Sequence, residues 1–333
     1  MVTALAGKRN WAGAAIVVAL FLLCLVLSLS LGPASLSPGR VLHYLLSGPD
    51  HSSAGSIIFW EIRMPRVLLA FLVGAALSVA GVILQDLFLN PLTDPYVTGV
   101  SSGAALGATV AIVLGLQVAV GLTGFALVGG FLALAVVWSA ARRRGRLDVY
   151  VLLLAGVSIS YLCTALISIL MIRAGNDLHA IVYWLMGSFS GRGWPEVRIA
   201  LFAVPFMILP LFFVREMNIL LQGEKRALEL GVEVERTKIV LIITAATLTA
   251  IAVSVSGVIA FVGLVIPHLV RLLVGPNHRR LLPFSLLLGA ALLGIADLLS
   301  RTMLQPSEVP VGVVTTLVGA PVFVYLLRRG RTR

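Results

Sequence analysis

The chain has 333 residues, of which 59% are hydrophobic and only 12% are charged, and its mean hydropathy is +1.05. A soluble domain of this length could not bury so much apolar surface, so the composition excludes a soluble globular protein and indicates a polytopic membrane protein. In a soluble protein the net charge of +11 would suggest nucleic acid as a partner. Here the basic residues lie in loops between apolar segments, without interleaved aromatic residues, so we exclude nucleic acid.

The first apolar run, residues 11–31, follows Lys8 and Arg9 and resembles a signal peptide only superficially. It is longer than the apolar region of a typical signal peptide, about 7–15 residues, and many similar runs follow it. We therefore interpret it as an uncleaved first helix. Cys24 and Cys163 both lie in apolar segments, and their spacing fits neither a disulfide framework nor a metal site.

Apolar windows of about 20 residues, the length that crosses a bilayer as a helix, recur along the chain. They predict an all-α fold of about ten transmembrane helices in a single domain, preceded by a short tail at residues 1–10. The predicted spans are residues 11–31, 67–87, 97–114, 118–140, 149–172, 197–214, 239–255, 258–274, 281–299 and 309–327.

The basic residues predict how these spans are oriented. With ten alternating spans, most of the 25 lysines and arginines fall on the same side as the N-terminus. That side includes the arginine-rich segment 142–146 and the C-terminal segment 328–333. Because positive charge is enriched in cytoplasmic loops, both termini are predicted to be cytoplasmic. Nine or eleven spans would place these two basic segments on opposite sides.

The sequence lacks the motifs of an energy-converting enzyme. Its only lysines, Lys8, Lys225 and Lys238, lie outside any phosphate-binding loop, so if ATP drives this protein another chain hydrolyses it. Asp86 and Asp297 lie near span ends, and the span interiors lack the carboxylates that ion-coupled carriers use. No catalytic residue is predicted. The histidines are scattered among loops and span edges, where we expect them to be solvated, and no metal site is predicted.

The features of residues 63–107 fit two interpretations, a transport pathway and a simple membrane hairpin. An apolar span ends in a turn, residues 90–95, whose two prolines and whose Asn and Asp residues break the helix. The next apolar segment begins with Gly99, Gly103 and Gly107, which lie on one helix face at a spacing of four. Such glycines let a neighbouring backbone approach closely.

Two further segments have a pattern that suggests a role. In the span 149–172 small residues recur at every fourth position, and such a stripe serves either helix packing or the wall of a water-accessible path. In the loop 215–238, residues 225–230 are predicted to form a short helix that ends at Gly231 as a C-cap. A charged helix there has little core to pack against, so it lies on the membrane surface or docks a partner, and we favour a partner.

Three separated blocks of sequence point to a known family. They are R-x-P-R at 63–66 with G-A-A-L at 74–77 and N-P-L-x-x-P at 90–95, then G-V-I-A-F-V-G-L-V-I-P-H at 257–268, and E-V-P-V-G at 308–312 with G-A-P-V-F at 319–323. From about residue 60 to its end the chain resembles the FecCD-type permeases. These are the membrane subunits of type II ABC importers for ferric siderophores, haem and cobalamin.

The resemblance implies ten helices per subunit and a permease homodimer whose interface forms the translocation path. It implies two ATPase subunits on the cytoplasmic side and one periplasmic or lipoprotein substrate-binding protein outside. ATP and magnesium would be bound by the ATPase, so no cofactor is expected on this chain. The chain would be a lipid-embedded subunit of a bacterial or archaeal inner membrane, without enzymatic activity of its own.

The resemblance also assigns roles to individual positions. They are binding-protein docking for Arg63, Arg66 and Arg301; ATPase coupling for Arg226, Glu229, Leu230, Gly231 and Glu233; a cytoplasmic gate at Asn90, Pro91 and Leu92; and the translocation path at Gly156, Ser160, Thr164 and Ser168. Exposed guanidinium groups pair well with carboxylates, which fits docking. The alternative is that the arginines anchor span ends, and Asp297, one turn before Arg301, is a competing partner.

Two other classes of protein stay open at this point. A secondary transporter of the same cargo predicts transport under a proton gradient without an ATPase. A membrane enzyme or scaffold predicts activity or assembly without vectorial transport. The sequence does not distinguish siderophore, haem and cobalamin as cargo.

Overall fold

The computed structural model describes residues 2–32, 36–50, 52–116, 119–143 and 146–330. Its helices are α1 (Val2–Ser30), α2 (Pro38–Ser47), α3 (Ala54–Ile57), α4 (Met64–Leu87), α5 (Val100–Val113), α6 (Ala119–Ala141), α7 (Val149–Arg173), α8 (Leu178–Leu185), α9 (Trp194–Leu201), α10 (Val204–Ile208), α11 (Val214–Leu220), α12 (Glu224–Glu229), α13 (Val234–Ser256), α14 (Val262–Val274), α15 (His278–Thr302) and α16 (Val311–Gly330).

Shorter elements connect some of these helices. A π-helical stretch leads directly into α4, 3-10 turns precede α5, α8 and α11, and two very short antiparallel strands join α6 to α7. These elements are the π-helix Ile58–Arg63, the 3-10 turns Pro95–Thr98, Gly175–Asp177 and Leu209–Phe213, and the strands β1 (Arg142–Arg143) and β2 (Arg146–Leu147).

The helices confirm the predicted all-α membrane fold. Within the described residues, six helices are long and apolar enough to cross a membrane, and the bent pair Trp194–Leu201 and Val204–Leu220 makes a seventh span if counted as one. Three shorter apolar helices, α5, α14 and the Val311–Leu326 part of α16, coincide with the remaining predicted spans. One expectation is wrong: residues 2–10 are not a separate tail but the first turns of α1.

Helices α5 and α14 are short, and backbone that is not α-helical precedes each of them. They have 14 and 13 residues, or roughly 20 Å of helix, against the ~30 Å hydrocarbon core of a bilayer. At membrane depth, backbone N–H and C=O groups outside an α-helix need hydrogen-bond partners from the protein. The Tyr96 hydroxyl supplies them, since it accepts the N–H of Ile259 at 2.7 Å and donates to the Ile259 carbonyl at 2.5 Å. The segments leading into the two short helices therefore stabilise each other.

Helix α4 lies at the centre of the structure. Almost every residue from Pro65 to Asp86 is buried, and α4 packs against α13, α14 and α15. The most apolar windows of α4 and α13 are each 83% buried, whereas that of α7 is only 22% buried. An apolar helix left so exposed in a membrane protein faces lipid or another subunit.

Glycines let α4 touch its neighbours backbone to backbone. A Cβ added at Gly74 would lie 2.3 Å from the Gly289 carbonyl oxygen of α15. One added at Gly81 would lie 1.9 Å from the Gly263 carbonyl oxygen of α14. Small residues at these crossings allow the close packing that holds helices together in a membrane, where lipid is as apolar as the side chains.

We predict that Gly81→Ala destabilises the protein, because the added methyl group forces the backbones of α4 and α14 apart. Overpacking of this kind costs about 1–3 kcal/mol, which would lower the thermal unfolding midpoint of the purified protein in detergent. Gly124→Ala in α6 is the matched control, since no atom lies within 4 Å of its added carbon. Equal midpoints for the two variants would contradict the proposed packing.

Candidate functional site

Ion pairs between distant residues lie at both ends of α4 and α15. We call the end with the predicted docking arginines outer and the opposite end inner, after the predicted orientation. The outer cluster consists of Arg63, Arg66, Asp297, Arg301 and Glu308. Arg66 donates from Nε to Asp297 Oδ1 at 2.8 Å and from Nη1 to Glu308 Oε1 at 2.9 Å. Arg301 Nε lies 3.1 Å from Asp297 Oδ2.

The same cluster caps the end of α1. Arg63 Nη1 donates to the carbonyl oxygens of Leu29 at 2.7 Å and Ser30 at 3.0 Å, and Arg301 Nη2 donates to that of Ser28 at 3.2 Å. The last carbonyls of a helix lack partners within the helix and carry its negative dipole end, so cations are favoured there. The arginines thus anchor α1 as well as pairing with carboxylates.

The prediction that these arginines present exposed guanidinium groups is wrong. Arg63, Arg66 and Arg301 are only 4%, 7% and 4% exposed, because they are engaged inside the protein. The competing pair of Arg301 with Asp297 is present. Within the cluster Glu308 lies at the rim, with 27% of its side chain exposed. Burial raises the pKa of the Glu308 carboxyl, but the hydrogen bond and charge of Arg66 outweigh it, so the pKa lies below its ordinary value. Docking itself stays a prediction.

The inner cluster consists of Gln85, Asp86, Asn218, Arg271 and His278. Asp86 Oδ1 accepts from Arg271 Nη2 at 2.9 Å, and Asp86 Oδ2 contacts His278 Nε2. The histidine is fully buried, contrary to the expectation that it is solvated. The residues involved are far apart in sequence, and no motif links them, so sequence patterns did not reveal this cluster. Among the described residues, His, Cys, Asp and Glu form no group of three suited to a metal.

The predicted cytoplasmic gate is a compact exposed turn that follows α4. Asn90, Pro91 and Leu92 are exposed, and the Leu92 N–H donates to Asn90 Oδ1 at 2.9 Å. Beyond it, Asp94 Oδ1 accepts the Tyr96 N–H at 3.0 Å and so caps the 3-10 turn before α5. The turn is thus held at both ends, and its own side chains face outward.

The predicted coupling helix is present in the loop between α11 and α13. Helix α12 corresponds to the predicted residues 225–230, and Gly231 follows it with a φ of +76°, as expected of a C-cap glycine. The loop has its own small core of Ala227, Val232 and Val234, and Lys238 of α13 pairs with Glu224 at 2.5 Å. The loop is therefore a braced structure.

The residues predicted for ATPase coupling all lie on the exposed side of this loop. They are Arg226, Glu229, Leu230, Gly231 and Glu233. Leu228 was not predicted, although it is 62% exposed; Leu230, two residues later, is 49% exposed. Both leucines lie on a loop outside the predicted spans, so they are candidates for contact with a partner.

The predicted path residues on α7 separate into two groups. Gly156 is buried and serves packing, because a Cβ there would lie 2.3 Å from the Val97 carbonyl oxygen. Ser160 is half-buried, while Thr164 and Ser168 are exposed. Each of the three hydroxyls donates to the carbonyl four residues earlier, at 2.8–2.9 Å, so their hydrogen bonds are satisfied within the helix. The exposed part of the stripe is a weakly polar surface, and its place on a path stays a prediction.

Comparisons with known proteins identify relatives of this chain. The chain is 45% identical to the cobalamin import system permease protein BtuC of Halobacterium salinarum, over 83% of this chain and 75% of that protein. It is 41% identical to the hemin transport system permease protein HmuU of Yersinia pestis, over 93% and 95%. A solved ABC transporter of metal-chelate type in an inward-facing conformation superposes with a TM-score of 0.84 at 34% identity, over 94% and 97%.

The family assignment rests on sequence and fold together. Residues 20–329 match the FecCD transport family. The relatives are multi-pass membrane permeases, and the helices of this chain are long and apolar enough for the same role. The chain therefore belongs to the FecCD transport family of ABC transporter permeases.

Proposed function

We propose that this chain is the permease subunit of an ATP-driven type II importer that takes up cobalamin or an iron complex such as haem. The observation that carries the proposal is the braced, exposed loop around α12 in a chain without a nucleotide-binding motif. Such a loop is suited to receive motion from a separate ATPase. The names of the relatives, for cobalamin and hemin transport, support the choice of cargo class.

The working assembly would contain two copies of the chain, two ATPase subunits and one substrate-binding protein. The low burial of α7 supports the second copy, since only 22% of its most apolar window is buried within one copy. In that arrangement the exposed hydroxyls of Thr164 and Ser168 would line the path between the copies. ATP and magnesium would be bound by the ATPase, and this chain would hydrolyse nothing itself.

The outer cluster would receive the binding protein. It contains three arginines and two carboxylates, so it carries one positive charge in excess. An acidic side chain of the binding protein would complete the pairing, with Glu308 at the rim as the group most easily exchanged. Reversing the charge of Arg63 and Arg66 together should weaken docking, but because both are buried it would also break internal contacts.

We predict that concentrative uptake requires the ATPase. Proteoliposomes containing the chain with its co-purified ATPase and binding protein should accumulate cyanocobalamin or hemin when ATP is enclosed with the ATPase. Liposomes with the chain alone should accumulate neither under a proton gradient. Uphill uptake by the chain alone would support a secondary transporter instead.

We predict that Leu228→Asp together with Leu230→Asp weakens ATPase binding, because apolar contacts at the loop are replaced by charge. A loss of at least about 2 kcal/mol in binding free energy is typical of a hot-spot residue. The affinity of the purified chain for its ATPase in detergent measures the effect. Leu46→Asp in α2, where Leu46 is 79% exposed, is the matched control on the outer side and should bind normally. Equal ATPase affinity of the unaltered chain, the double variant and the Leu46→Asp control would refute a contact of the ATPase with these leucines.

We predict that Glu308→Gln strengthens docking of the binding protein. The substitution removes the internal carboxylate that competes for Arg66, while the buried pair of Arg66 with Asp297 stays intact. A partly exposed ion pair contributes about 1 kcal/mol or less, so affinity should rise by up to roughly fivefold, measured by titration of the cognate binding protein. An unchanged or lower affinity would assign the outer cluster to stability alone.

A further inference from the structure

We propose that the inner cluster is a mechanical link between the ATPase-coupling loop and the cytoplasmic gate, with Asp86 and His278 as its positioning residues. The proposal rests on the proposed function and goes beyond it, because it names the side chains through which motion of the loop would reach the gate. The contacts form one continuous series from α11 to the turn after α4.

The first step joins Asp86 to the gate turn. Asp86 lies in the last turn of α4, four residues before Asn90. The Gln85 carbonyl accepts the Asn90 N–H at 2.9 Å, and the Asp86 carbonyl accepts the Leu89 N–H at 3.1 Å. The turn therefore continues from the helix through hydrogen bonds, so displacement of Asp86 displaces the turn.

The second step joins Asp86 to two other helices. One carboxylate oxygen accepts from Arg271 of α14 at 2.9 Å, and the other contacts His278, the first residue of α15. The side chains of Asp86 and His278 are 8% and 0% exposed. Separating either pair would leave a buried charge without its partner, which is strongly unfavourable. The three helix ends are thus expected to move together.

The third step leads from His278 to the coupling loop. His278 Nδ1 lies 2.9 Å from Asn218 Oδ1, and the His278 backbone N–H donates to the same oxygen at 3.2 Å. The backbone donor fixes the orientation of the Asn218 amide, since only its oxygen can accept. Asn218 belongs to α11, which ends at Leu220, and α12 begins at Glu224. The imidazole ring therefore bridges the base of the coupling loop and the end of α4.

A parallel contact holds α14 to α4. Arg271 also donates from Nη1 to the Gln85 side-chain oxygen, and Gln85 Nε2 donates to the Leu264 carbonyl at 3.1 Å. On the far side of the gate turn, Tyr96 holds Ile259 just before α14. The turn is thus attached on one side to α14 and on the other to the segment just before α14, so a joint displacement of these helix ends would act on it directly.

The test measures how the gate turn responds to nucleotide in the assembled permease–ATPase complex. The parent carries Leu92→Cys as a reporter, with Cys24 and Cys163 replaced by Ala. Reactivity of the cysteine toward a membrane-impermeant maleimide is measured with and without a non-hydrolysable ATP analogue. ATP hydrolysis and the thermal midpoint are measured on the same preparations.

We expect Asp86→Asn and His278→Gln to reduce the nucleotide-induced change in reactivity by ~5-fold or more, the scale of a typical coupling between sites, while ATP hydrolysis persists. Arg279→Gln, which removes an exposed charge next to His278, is the matched control and should respond as the parent does. If both variants respond like the parent, the link is overturned. If ATP hydrolysis, the thermal midpoint and the reactivity change all fall together, the cluster serves stability and the link is likewise overturned.

A double variant adds a second criterion. If the contacts act in series, the double variant Asp86→Asn with Asn218→Leu should lose no more of the nucleotide-induced change in reactivity than the stronger single variant. Both substitutions interrupt the same series of contacts. Additive losses would overturn the link. A parent that binds no ATPase would overturn the proposed function and the link with it, whereas a responsive parent with responsive variants would overturn the link alone.

Discussion

Direct backbone contact between α4 and its neighbours, secured by buried ion pairs at both ends, is the constraint on which the rest of the structure depends. In a bilayer the hydrophobic effect does not drive helices together, so close packing and satisfied polar pairs have to do so. The crossings at Gly74 and Gly81 supply the packing. Arg66 and Asp86 supply the polar pairs, and they lie 20 residues apart, which is about 30 Å along a helix and matches the hydrocarbon thickness. The central helix is therefore fixed near both faces of the membrane.

The chain divides into a buried part and an uncovered part. Helices α4 and α13 are surrounded by protein, whereas only 33% and 22% of the most apolar windows of α6 and α7 are buried. Of helices α4 and α13, α4 connects the two faces and contributes residues to both ion clusters. The uncovered part is left for lipid and, in the proposed assembly, for a second copy of the chain. In the proposed assembly the rigidly packed helices would thus be separate from those that line the path.

Much of the fold was predictable because it depends on local properties of the sequence. Ten apolar windows predicted where the helices lie, and good helix formers followed by Gly231 predicted α12. What escaped prediction depends on partners far along the chain. Arg66 meets Asp297 across 231 residues, and His278 meets Asp86 across 192, so neither the burial of the arginines nor the inner cluster follows from local patterns. The stripe on α7 was ambiguous for the same reason, since the segment that covers Gly156 comes from a different part of the chain.

The shared pairing inside the outer cluster has an evolutionary consequence. Arg66 serves Asp297 and Glu308 at once, and Arg301 serves Asp297 and the end of α1. Replacing Arg66 or Asp297 leaves a buried charge without its partner, so substitution at one of them is tolerated only with a compensating change at the other. Across related permeases these positions should accordingly vary as a group, and a lineage that loses one arginine should also have lost or neutralised a carboxylate.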